Sequence, residues 1–166
     1  MKRTLKAIGR RYERGAIAIE AAIVLPILLL IIGLPSLQLA FYFRQYSAAQ
    51  KALHDGALYL STAPRIEMIT AGPDANPAAL AVATTIMAKE LAGLVPAGTS
   101  LDPGFICVYR VAALPAMKPC TVAHNQDPTH TLLQFGVSIS VPYVNPLTGS
   151  TDRSFELYAP VAYAGN

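Results

Sequence analysis

Ala21-Ala22-Ile23-Val24-Leu25-Pro26-Ile27-Leu28-Leu29-Leu30-Ile31-Ile32-Gly33-Leu34-Pro35-Ser36-Leu37-Gln38-Leu39-Ala40-Phe41-Tyr42-Phe43 holds no charged residue, and its reading decides the fold. As a helix rising 1.5 Å per residue the run reaches about 34 Å, enough to cross a hydrocarbon core of about 30 Å. Arg44 closes it. A secretory signal also starts with basic residues, but its apolar core spans only about 7–15 residues. The best cleavage candidate downstream, Ser47-Ala48-Ala49, is a poor small-x-small site. A membrane helix over 16–43 is the expectation.

Charge sets its direction. Lys2, Arg3, Lys6, Arg10, Arg11 and Arg14 stand against Glu13 alone in residues 1–15, whereas the remainder of the chain is slightly acidic. The net charge of +3 therefore reports a short basic flank rather than a nucleic-acid surface, so no nucleic-acid partner is expected. Basic residues gather on the cytoplasmic side of membrane helices. The expectation is a cytoplasmic leader over 1–15, a single pass through the bacterial inner membrane, and a periplasmic domain over 44–166.

Two prolines interrupt the run. Pro26 and Pro35 each remove a donor and obstruct the carbonyl four residues back, at Ala22 and Ile31. With Gly33 beside it, Pro35 predicts a kink, either static or one that bends during packing. A membrane helix tolerates this if neighbouring groups satisfy the freed carbonyls.

At the head of the run stands Arg14-Gly15-Ala16-Ile17-Ala18-Ile19-Glu20. A carboxylate in a membrane helix costs about 2.5–3.5 kcal/mol at its centre and less near the interface. Glu20 has a partner if the chain is cut between Gly15 and Ala16. The new α-amine, with a reference pKa of about 7.7–8.0, would sit at i to Glu20 at i+4, on one helix face. Amine and carboxylate could then neutralise each other within a chain or between neighbours. The competing account is an interfacial glycine and an acidic residue favoured by the helix dipole.

This pattern resembles the processing site of type IV pilin-like proteins, and the N-terminal third is similar to the TadE/TadG-like pseudopilins of tight-adherence (Flp) pilus systems. The shared features are Gly15, small apolar Ala16–Ile19, Glu20 and the proline-interrupted Ile23-Val24-Leu25-Pro26-Ile27-Leu28-Leu29-Leu30, followed by the alanine-rich Ser47–Ala57. In one respect the chain departs: Ala21 stands where an aromatic residue commonly follows the glutamate. The resemblance implies a minor pseudopilin that a prepilin peptidase cuts after Gly15. Its implied partners are the lipid bilayer, that peptidase, and other pseudopilins or pilus assembly proteins contacting the N-terminal helix. Ala16, Ala18, Ala21 and Ala22 would let helices approach closely. The alternative is an uncleaved, membrane-anchored periplasmic binding or scaffold protein.

Beyond Arg44, Tyr46, Ala49, Leu53, Ala57 and Leu60 recur at three- and four-residue spacing, predicting a helix over 44–61 that Ala63-Pro64 ends. A second helix is expected over 78–94. From there the period becomes two. Strands are predicted within 105–163: Phe105–Val111, then Thr131 to Val141 by alternation, and Phe155–Tyr163 after a turn containing Asn145-Pro146 and Gly149. A long helix followed by a small antiparallel sheet makes an α+β fold.

Cys107 and Cys120 are the two cysteines, and an even pair in an oxidising compartment is most simply a disulfide. A zinc site adding His124 and His130 competes, without paired C-x-x-C or finger spacing. No phosphate loop, nucleophile elbow or metalloprotease helix is present. His54, His124 and His130 read as separate surface residues. The chain is expected to be no enzyme and to need no cofactor.

Overall fold

The computed structural model describes residues 18–96 and 101–165. The chain divides into two units between Phe41 and Tyr42. Within the first, α1 begins at Ala18, and the same helix continues to Thr62 in the second. A five-residue π-helical turn, Leu29–Gly33, lies within it just before Pro35, where the sequence predicts a kink. One extra residue per turn is how a helix absorbs a local mismatch in its hydrogen-bond ladder, and Pro35 creates one by lacking an N–H. Ser36 then donates from its Oγ to the Ile32 carbonyl at 2.6 Å, offering that carbonyl a side-chain partner.

The second unit is built on the last turns of α1. Gln45, Ala49, Ala52, Leu53, Gly56, Ala57, Leu60 and Ser61 are buried, a stripe at helical spacing. After Ala63 and Pro64 come the short α2 (Arg65–Ile69) and then α3 (Ala78–Glu90). The helix predicted over 78–94 stops at Glu90. Leu91 to Leu94 continue as turns, with Gly93 at φ 81°, the left-handed conformation that closes helix ends.

Four strands follow: β1 (Gly104–Val111), β2 (Leu114–Pro119), β3 (His130–Tyr143) and β4 (Arg153–Ala162). They form one antiparallel sheet in the order β2-β1-β3-β4. A helical turn, α4 (Val122–Gln126), links β2 to β3, capped by the Thr121 Oγ1 that accepts from the His124 amide. The arrangement is α+β, as the change of period from 3.6 to two predicts. Strand β2 and the helices α2 and α4 carry no comparable periodicity and are seen only in the structure.

The core lies between one sheet face and the helices. Cys107 and Tyr109 from β1, Phe135, Val137, Ile139 and Val141 from β3, and Phe155 from β4 meet the α1 stripe together with Ala79, Leu80, Ala83 and Met87 of α3. Gly56 makes the α1–α3 approach possible, since a Cβ there would stand 2.7 Å from Met87 Cγ.

Candidate functional site

The sequence-predicted processing site falls at the edge of the described residues. Gly15 and Ala16 lie outside them, while Glu20 is helical and exposed near the start of α1. Between Ile19 and Leu39 the apolar side chains of this helix are exposed around its circumference. Ile23, Leu25, Leu29, Leu30, Ile31 and Ile32 are each more than half exposed, and no residue of the most apolar stretch is buried. A helix that is apolar on every side needs an apolar surrounding, because each exposed side chain of this kind forfeits about 1.5–3 kcal/mol in water. Length and composition fit a single-pass membrane anchor.

In the second unit the structure brings together residues the sequence left apart. Cys107 and Cys120 form a disulfide, with Cα atoms 5.1 Å apart. Bonded to each other, they are not free as thiolate ligands, which removes the zinc alternative. Among the described residues no three His, Cys, Asp or Glu side chains are placed to hold a metal ion.

The histidines are a correction. Only His54 is a plain surface residue. The rings of His124 and His130 stand 5.7 Å apart, each within 6 Å of the Tyr109 ring, and the His130 side chain is only 8 % exposed. Lys118 Nζ lies 3.0 Å from His130 Nε2. Asp127 Oδ2 lies 3.3 Å from Nδ1 but out of line for a hydrogen bond, so Nδ1 has charge proximity without a directed partner. Asp127 accepts from both the hydroxyl and the amide of Thr129, which holds its carboxyl below the usual range.

Beside this cluster lies a cavity of about 370 Å³ whose lining includes Arg65, Tyr109, Asn125, His130 and Tyr163. Its wall is a closed polar chain. The buried Tyr109 hydroxyl donates to Asn125 Oδ1 at 2.8 Å, and Asn125 Nδ2 donates to the Met68 carbonyl at 3.0 Å. Burial pushes the Tyr109 phenol up to about 12, so it serves as a donor and not as a base. These groups tie α2, α4 and β1 together. The arrangement is structural: one hydroxyl and one amide, each satisfied by the other. Nothing in the spacing of Tyr109 and Asn125 marks them as partners; the cap residue Thr121 ahead of α4 was the available signal that a helical turn begins there.

An apolar helix built to be surrounded, attached to a small disulfide-bonded α+β domain, defines an anchored protein whose helix carries the identifying residues. Residues 15–58 match the family model described as TadE-like protein. Over this segment the chain is similar to the TadE-like proteins, the family that Gly15, Glu20 and Pro26 resemble in sequence. No curated protein and no solved structure matches the chain.

Proposed function

We propose that this protein is a minor pseudopilin of a tight-adherence (Flp) pilus assembly or a related secretion system. It sits in the bacterial inner membrane with residues 44–166 in the periplasm, and it is a substrate of a prepilin peptidase rather than an enzyme. The observation that carries the reading is the coincidence, within the TadE-like segment, of Gly15 and Glu20 with a helix whose apolar side chains are exposed all round. Cleavage after Gly15 leaves an amine on Ala16, one helical turn from Glu20. That pairing offsets the cost of a carboxylate near the membrane and gives neighbouring helices a fixed register.

The test is the mass and N-terminal sequence of the protein from membranes with and without its prepilin peptidase. The expected product begins at Ala16 only when the peptidase is present, and Gly15→Leu blocks it. Material that still begins at Met1 in the presence of the native peptidase refutes the pseudopilin reading and leaves an uncleaved, anchored periplasmic scaffold.

A further inference from the structure

The β3–β4 hairpin is fastened to the helix at the place where the uncharged run ends. Gln45, two residues past Phe43, is a buried amide that donates from Nε2 to the Val144 carbonyl at 2.8 Å and accepts from the Val144 amide at 2.9 Å. This two-way clamp holds the first residue beyond β3. Around it the rings of Tyr42, Tyr46, Tyr143 and Phe155 form one cluster, with centroids 5.0–6.3 Å apart.

The direction of the hairpin follows from two contacts on β4. Near its start, Phe155 meets Tyr46 at 5.7 Å; just past its end, the Tyr163 hydroxyl donates to the Ala63 carbonyl. From Phe155 to Tyr163 a strand advances about 26 Å, and from Tyr46 to Ala63 a helix advances about 26 Å. Strand β4 therefore runs alongside the helix in the same sense. The loop that precedes it, residues 144–152, projects toward the end of the helix where Tyr42 and Phe43 lie.

That loop is prepared for a poorly hydrated setting. The Asn145 amide donates to the Ser150 carbonyl, the Gly149 amide to the Asn145 carbonyl, and the Leu147 amide to Asn145 Oδ1, with Gly149 at φ 70° allowing the turn. With these amides bonded inside the loop, Pro146 and Leu147 are left exposed, Leu147 by 51 %. Tyr42 and Phe43 are exposed beside it, and Arg44 and Arg153 flank the group, with Asp152 the one acidic side chain in the loop. Aromatic rings with a polar tip, an exposed leucine and flanking arginines are the composition of a membrane–water interface.

We propose that the β3–β4 hairpin rests in the headgroup zone of the bilayer, with Leu147 dipping into it and Tyr42, Phe43 and Tyr143 forming an aromatic collar. The domain would thus touch the membrane at a second point. This inference rests on residues 21–43 spanning the membrane.

The chain contains no tryptophan, which makes a clean probe available. Three full-length variants, Leu147→Trp, Leu114→Trp and Leu30→Trp, are reconstituted into phosphatidylcholine vesicles with acyl chains brominated near the carbonyl end. Leu114 is also exposed, but it pairs with Val111 at the end of β1, which in turn pairs with His130 at the start of β3, so it lies at the opposite end of the sheet from Tyr143. The expected result is a blue-shifted emission at position 147, quenched several-fold more than at position 114. A water-like, unquenched signal at 147 overturns the proposal. So does a blue shift without quenching, which would mean that protein rather than lipid covers the loop. Absence of lipid quenching with brominated chains of any depth at position 30 defeats the membrane reading itself, and the proposal with it. Quenching at 30 but not at 147 defeats the hairpin contact alone.

Discussion

Replacing Asn125 with alanine tests whether the polar chain beside the cavity holds the domain together. The substitution removes two hydrogen bonds, leaving the buried Tyr109 hydroxyl without its acceptor and the Met68 carbonyl without its donor. An orphaned buried polar group costs about 1–3 kcal/mol, and water in the adjoining cavity can take over part of each bond, so the lower half of the range applies. The sum is about 2–4 kcal/mol. For a domain of this size about 4 °C is lost per kcal/mol, giving a fall in Tm of about 8–16 °C. Tyr109→Phe leaves only Asn125 Oδ1 unpaired and costs about 1–2 kcal/mol. The double variant is the decisive measurement, because both singles break the same bond. Thermal unfolding of the full-length protein in detergent, followed by near-UV circular dichroism, should show the double variant losing less than the two singles combined. The deficit should be about 1 kcal/mol. Strict additivity would mean that the Tyr109–Asn125 contact contributes nothing and that the cavity wall is held by apolar packing alone.

Three other perturbations have definite signs. Reducing the Cys107–Cys120 bond frees a 13-residue separation and should lower stability by about 3 kcal/mol in the chain-entropy model, read as a lower urea midpoint in reductant. Tyr59 is held up to about 12 by burial and then by its hydrogen bond to Glu67, and Tyr109 to about 12 by burial. Because both folded values exceed the unfolded value near 10, their contribution is full below pH 10 and disappears between about pH 10 and 12, visible as a falling Tm over that window. Gly56→Val forces branched carbons against Met87 and should destabilise the domain by about 1–3 kcal/mol, measured by the same urea titration.

The membrane helix and the alternation of β3 could be read directly, because in both a single physical demand is written at a fixed period. An uncharged run of sufficient length is enough to mark Ala21–Phe43, and Phe135, Val137, Ile139 and Val141 face one way in any regular strand. Gly15 and Glu20 stand out by their spacing alone, and both fall within the segment that matches the TadE-like model. Short elements were not: β2, with Pro115 and Pro119 in it, is an edge strand with mostly exposed side chains, so burial imposes no pattern on it. The histidines went wrong for the same reason. His124 and His130 are placed by α4, which links β2 to β3, and nothing local says that both rings will pack beside Tyr109.

The sequence by itself marked a run long and apolar enough to cross a membrane and the residue at which it ends, because hydrocarbon selects on composition and length. Only the tertiary structure decided which distant groups satisfy one another: Gln45 with Val144, Asn125 with Tyr109 and Met68, Ala63 with Tyr163. Those pairings depend on the register of the sheet and its direction along the helix. Both are set by core packing among residues far apart in the chain, which local periodicity does not encode.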